Sequence, residues 1–580
     1  MSSYMSVADC ASALAPEVAG EGLPAAAPVA IAAFRAADLR AGSGRLAVGG
    51  PGARVVLAAG QAPPVTGESM TFCHPVVTVP AVVTAAGAVL AGGWLPEFVR
   101  LGELEAHLGD GVIENLVGRA IADGRLAKPE RRRLMSLPLA IRLLVAMSLM
   151  PDAGSAEAMK RLAGHLADVP FARRWHPPTS KVNSRWFRKV PGSVMEELFW
   201  IAAGPLVSAG AAGAVLLAGM LVCAVDGMLT SLADTPANRA MFGCAGTKTF
   251  KGYGQAPFPQ LLAVIVTMRA GRAILGAITG SARAGEQTLL LRLIRRRPEL
   301  FAGRVFCFDR NFPGYAIIAA LIDAGAHVVA RVKDKSPALP VIDGGWLPDG
   351  SRMSYLNAPG GRAADRLPVR VAEHNAVLPG GDGQEVSETY TIISTLLDHV
   401  TAPAEALRGT YQTRWSASET TFGEDKTTIR GAGERTAGPV LRAGTPRGVI
   451  SEFWAWMTGT QLVRASSAGS LNGPAAAARA PRRDPAPAPP GTDAVSFKAS
   501  WQTAVRSMIQ SKVTATTSLP ELAALADVTA RSLLHTQTVT GRERHAPRTQ
   551  KSRPKFDHNV ATKKTITGKP KITRFAPGAT

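Results

Sequence analysis

Between residues 218 and 333 the chain alternates short apolar runs with amphipathic ones, a rhythm that restricts it to a sheet covered by helices. "GMLVCAVD" reads as a strand, and "QLLAVIVTMRAGRAILGAITG" as two strands joined at Ala270-Gly271. "EQTLLLRLIRR" is helical, "RVFCFDR" is a short buried strand, "GYAIIAALIDAGA" is a helix and "HVVARVK" a further strand. The predicted order is β-β-β-α-β-α-β, an α/β sheet with mixed strand directions. Two of these strands run straight into an acid, Asp226 and Asp309. An unpaired charge is costly inside a strand, so each acid marks either a boundary or a functional group.

The flanking segments differ in character. Residues 1–94 are rich in Ala, Gly, Pro and Val with little periodicity and read as a low-complexity, disordered extension. From 95 to 205 the spacing turns helical, with Leu101, Leu104, Leu108, Val112 and Leu116 three or four apart. The α/β segment spans 206–465 and contains a Gly/Pro-rich, β-like insertion at 335–405. A Pro/Ala-rich linker at 466–496 leads to a basic C-terminal module at 497–580.

A formal charge of +21 favours an anionic partner. Residues 171–190 carry Arg173, Arg174, Lys181, Arg185, Arg188 and Lys189 without one acid, and from Gly541 onward eleven Lys/Arg face only Glu543 and Asp557. "TSKVNSRWFRKV" fits a DNA-contacting helix with Lys181, Arg185, Arg188 and Lys189 toward phosphate and Trp186 and Phe187 inward; the alternative is a plain solvated basic face. Five cysteines without a CxxC pair indicate neither a disulfide framework nor a zinc site. No signal peptide is expected. The uncharged run 200–225 is diluted by Ala, Gly and Pro205 and ends on Asp226, so it reads as a buried helix and core strand rather than a membrane span.

Open α/β sheets place their sites beyond the carboxyl ends of strands, where Asp226 and Asp309 can converge. Converging carboxylates repel unless a cation joins them, and hard oxygen donors suit Mg²⁺ or Mn²⁺. Two such ions roughly 3.5–4 Å apart clamp the attacking and leaving oxygens of a phosphodiester reaction. A third carboxylate is sought on a following helix, and "YQTRWSASETTFGEDKTTIRG" supplies Glu419, with Lys426 seven residues on and on nearly the same helical face.

Taken together, Asp226 in "VDGMLTSLADTPANRAMFG", Asp309 in "VFCFDRNFPGY" and the run Tyr411, Arg414, Glu419, Lys426 resemble a DDE transposase of the insertion-element-4 family. The likeness covers roughly 95–465. It implies an RNase H-like catalytic core with a β-rich insertion, preceded by a helical DNA-binding domain. It also implies Asp226, Asp309 and Glu419 as ligands of two Mg²⁺ ions, for which Mn²⁺ can substitute. Tyr411, Arg414 and Lys426 would position phosphates, with cleavage at the element's ends followed by joining to target DNA. Expected partners are duplex DNA, as terminal inverted repeats and target, and a second copy of the chain on paired ends. The expected location is the cytoplasm, at the nucleoid.

The spacing departs from the family at one point, with four residues rather than three between Arg414 and Glu419. On a continuous helix that turns Glu419 by about 100° relative to Arg414. Ser416-Ala417-Ser418-Glu419 also fits a capping box, and Glu424, then Asp425, are the alternative carboxylates. An inactive DNA-binding relic or repressor and an RNase H-like nuclease stay open as rival functions. Asp234 is either a fourth ligand or, with Thr235, the cap of a helix beginning at Pro236. Lys248 and Lys251 either touch DNA backbone or sit in a polar loop. Gly280 and Gly285 have phosphate-loop spacing, but Glu286-Gln287 replace Lys-Ser/Thr, which excludes a nucleoside-triphosphate site.

Overall fold

The computed structural model describes residues 4–6, 45–47, 99–109, 111–128, 135–164, 176–207, 216–249, 252–255, 258–269, 272–332, 344–360, 363–379, 385–412, 440–472, 496–510, 519–534 and 571–574. The chain divides into two compact units, one of residues 1–95 and 166–176, the other of 96–165 and 177–580. In the first, strands β1 (Tyr4–Ser6) and β2 (Arg45–Ala47) pair antiparallel.

The second unit opens with a 3-10 turn (Gly102–His107) and helices α1 (Val112–Ala122), α2 (Leu137–Leu149), α3 (Ser155–Ala163), α4 (Ser180–Phe187) and α5 (Gly192–Ala203). Ser136 caps α2 by accepting the Leu139 amide at 3.2 Å, with Pro138 in the first turn. A long later helix, α10 (Pro446–Asn472), packs against α2 and α5 and against two C-terminal helices, α11 (Phe497–Gln510) and α12 (Leu519–Leu534). Gly459 lets α10 approach α2 closely, since a Cβ there would fall 2.6 Å from Ser148 Oγ. Phe199, Trp200 and Trp454 close the seam, and Gln461 Oε1 accepts the Ile274 amide at 2.9 Å, tying α10 to the sheet.

The sheet is built from β3 (Leu216–Leu217), β4 (Met220–Leu232), β7 (Gln260–Met268), β8 (Ile274–Ser281), β9 (Arg304–Phe308), β10 (His327–Arg331), β11 (Arg352–Leu356), β12 (Leu367–Pro379) and β13 (Glu385–Ser394). Between β4 and β7 lie helix α6 (Pro236–Phe242) and a hairpin of β5 (Gly246–Thr249) and β6 (Gly252–Gln255). Helices α7 (Glu286–Arg296), α8 (Tyr315–Asp323) and α9 (Ala404–Gln412) cover the faces. The strand order is β11-β12-β13-β10-β9-β4-β7-β8. Strands β10, β9 and β4 run parallel, whereas β4, β7 and β8 alternate in direction and β13 returns antiparallel to β10. Short strands β14 (Val440–Leu441) and β15 (Lys571–Arg574) add to β4 and β12.

Burial on both faces explains why β4 and β9 read as continuous apolar runs. Leu221, Cys223, Val225, Phe306 and Phe308 pack under α7 and α8. Val222, Val305 and Cys307 pack on the opposite side with Leu407 and Tyr411 of α9. No described helix is long and apolar enough to cross a membrane.

One sequence expectation changes. Strand β4 does not end at Asp226 but continues to Leu232, paired with β7 as far as Ser231 opposite Gln260. What ends near Asp226 is its parallel neighbour, since β9 stops at Phe308. The acid therefore sits where the strand loses one of its two partners.

Candidate active site

Asp226 and Asp309 meet through strand register. The last parallel pair of β4 and β9 is Val225 opposite Phe308, so the next residue on each strand is an acid, and the two lie side by side. Asp226 Oδ1 accepts the Gly227 amide at 2.8 Å, and Asp309 Oδ1 accepts the Arg310 amide at 2.6 Å. A turn closed by the Phe312 amide on the Asp309 carbonyl at 3.0 Å carries the chain away. Both acids are half-buried, open enough for a ligand and sheltered enough for charge to matter.

A third carboxylate, Glu286 at the first residue of α7, lies near enough to feel their charge. A Cβ on Gly227 would collide with Glu286 Oε1, so the missing side chain lets this carboxyl lie against β4. Partial burial, then the charges of Asp226 and Asp309, raise the Glu286 carboxyl above its ordinary range. Sequence reasoning met Glu286 only as the residue that spoils a phosphate loop. The available signal was an acid opening the helix between two acid-bearing strands, Gly285 before it holding φ +76°. Among the described residues, no three carboxylate, imidazole or thiol groups converge closely enough to hold a metal ion.

Arg414, Glu419 and Lys426, with Glu424 and Asp425, lie outside the described residues. Tyr411 is described, at the end of α9. It is 4% exposed, packed among Val305, Cys307 and Leu407. Its ring thus supports β9, the strand that delivers Asp309.

Lys181, Arg185, Arg188 and Lys189 are all exposed on and just after α4. Trp186 turns inward at 4% exposure and Phe187 is half-buried. Buried Asn183 donates to the Ser155 carbonyl at 3.1 Å, fastening α4 to the start of α3. Lys189 Nζ stands 4.6 Å from the Trp186 ring centre. Arg173 and Arg174 lie outside the described residues.

Asp234 bonds Arg239 at 2.8 Å, which holds its carboxyl below the usual range. Thr235 caps α6, accepting the Asn238 amide at 3.2 Å, with Pro236 as first helical residue. The Asp234 segment is thus a helix start. Lys248 falls on β5, and Lys251 lies outside the described residues.

No protein-family model matches this sequence, and no curated protein matches it. Among solved structures, the chain is similar to a cryo-EM structure of the piggyBac transposase synaptic complex with hairpin DNA. The identity is 9% and the TM-score 0.32, over 71% of this chain and 80% of that one.

Proposed function

We propose that the chain is a DDE transposase that cleaves DNA at the ends of its own insertion sequence and joins them to target DNA by two-metal phosphoryl transfer. One observation carries this reading: Asp226, within β4, and Asp309, just past the end of β9, follow the last parallel pair of two adjacent strands, beside the buried core. The topology supports an RNase H-like core, with three antiparallel strands (β4, β7, β8) and two parallel ones (β9, β10) added on the other side of the first.

The donor chemistry fits a hard divalent cation: carboxylate oxygens, half-exposed, in a field made more negative by Glu286. Asp226 and Asp309, with Glu419, would hold Mg²⁺ or Mn²⁺. When bound, two such ions supply Lewis-acid activation of water or a 3′-hydroxyl and stabilise the leaving oxygen. Arg414 and Lys426 hold phosphates of the element's end near the carboxylates. Lys181, Arg185, Arg188 and Lys189 grip the duplex backbone from α4, and their contribution falls with added salt. Two ends need two sites, so the working form is a homodimer on paired ends, acting at the nucleoid.

The test uses purified protein and a labelled duplex carrying the element's end and flanking DNA, in Mg²⁺ or EDTA, with Asp309→Asn beside wild type. Boundary cleavage that needs Mg²⁺ and drops by at least about 10²–10³-fold in the variant is expected. Binding without cleavage would replace this reading with that of an inactive DNA-binding protein. Cleavage without joining would leave a nuclease on the same scaffold.

A further inference from the structure

Arg370 on β12 is fully buried, yet its nearest acid, Asp349, stands 3.9 Å from Nη1, and Nε and Nη1 form no hydrogen bond. A guanidinium is hard to bury, so what it does with its remaining donor is informative. Arg370 Nη2 donates to the Ala402 carbonyl, two residues before α9. Asp349 Oδ2 accepts the Ala404 amide, the first residue of α9, at 2.8 Å. Asp349 Oδ1 is itself held by the Ser351 amide at 3.0 Å and the Ser351 hydroxyl at 2.5 Å. Asp398 folds the approach to α9 by accepting the Val400 amide at 2.9 Å and the Thr401 amide at 3.3 Å. Strand β12 and the turn before β11 therefore grip the start of α9 through one buried cation and one carboxylate.

The far end of α9 packs under the active-site strand. Leu407 and Tyr411 fill the space beneath Val305 and Cys307 of β9, and the Cys307 thiol faces the Thr410 carbonyl at 3.9 Å. Phe308 and Asp309 follow directly on β9. Gln412 ends α9, and the chain reaches Glu419 seven residues later.

We propose that Asp349 and Arg370 are positioning residues of the active site, acting through α9: they set where the helix begins, and so how it supports β9 beside Asp309. The inference rests on the transposase reading for its catalytic consequence and on the hydrogen bonds alone for its mechanical one. The insertion is then a clamp on the catalytic core as well as a surface.

Two measurements on the full-length chain test this. In Asp349→Ala, the Mg²⁺ concentration giving half-maximal cleavage of the end duplex rises about 10–100-fold, the size of effect seen when the support of a metal ligand is removed. Duplex binding in EDTA stays near wild type, while the unfolding midpoint falls because Arg370 loses its nearest acid. Asp349→Asn, which keeps an acceptor for the Ala404 amide, recovers part of the loss. An unchanged Mg²⁺ requirement, or duplex binding that falls in step with cleavage, overturns the catalytic half. The second measurement is amide hydrogen exchange, in which residues 404–412 exchange at least about tenfold faster in Asp349→Ala. Unchanged protection there overturns the clamp, whether or not the wild type cleaves. A wild type that never cleaves while α9 loosens in the variant instead sinks the transposase reading and leaves the clamp standing.

Discussion

Two regions of this protein bury acids and treat them in opposite ways. In the helical region, Glu105 is enclosed by Arg142 at 2.6 Å and Arg100 at 2.9 Å, and Arg142 also reaches Glu114 at 2.8 Å. Burial pushes the Glu105 carboxyl up, but the two guanidinium groups outweigh it and hold the acid below its ordinary range. At the edge of the sheet, burial again pushes an acid up at Glu286, and the neighbouring charges of Asp226 and Asp309 push it further in the same direction. The first cluster satisfies itself. The second is a concentration of like charge, which raises Glu286 instead of holding it down.

Breaking the self-sufficient cluster has the largest effect on stability. Arg142→Met takes from buried Glu105 one of its two guanidinium partners and lowers unfolding free energy by about 3–5 kcal/mol, measured by urea denaturation. The double variant Arg142→Met/Glu105→Leu recovers much of that loss; if it is as unstable as the single one, the network is not what holds these helices.

Glu103 is the intermediate case, a fully buried acid with a hydroxyl partner. Burial raises its carboxyl from 4.5 to about 7, only partly offset by the hydrogen bond from Thr529. Because the folded-state value lies above the unfolded one, its stability contribution is complete below pH 4.5 and is lost as pH rises through about 7. Glu103→Gln should therefore match wild type at pH 4 and exceed it by up to about 3 kcal/mol at pH 8. Equal unfolding curves at pH 8 would count against the burial of this acid.

Glu286→Gln gives the smallest change and sharpens the contrast most. Removing one of three neighbouring acids raises the unfolding free energy in EDTA at pH 8 by less than about 1 kcal/mol. It also reduces the extra stability gained on adding Mg²⁺. A variant less stable than wild type in EDTA would mean that Glu286 is held by a favourable contact rather than crowded.

Much of this arrangement is legible in the sequence because periodicity reports burial. The apolar runs at 220, 260, 274, 304 and 327 become strands since both sheet faces are covered, and Thr235-Pro236 marks a helix start by its chemistry alone. Three features escape. Strand β4 runs past Asp226 because β7 keeps pairing with it, a tertiary fact that Gly227 conceals. Glu286 approaches β4 at Gly227 through space, across sixty residues of chain, and its place at the start of a helix says nothing by itself of which strand it meets. Helix α10 extends to Asn472 through a Ser/Ala/Gly run that reads as linker, where Ser467 Oγ meets Ser500 Oγ of α11 at 2.8 Å and packing overrides propensity.

That helix also dictates when the protein can finish folding. Helices α2 and α5 emerge from the ribosome early, yet the surface they share with α10 is made only after residue 446, and α11 and α12 arrive later still. At about 5–20 residues per second, the early helices wait tens of seconds with Phe199 and Trp200 bare. A product truncated before Pro446 would never cover them, and its fate is aggregation or capture by a chaperone.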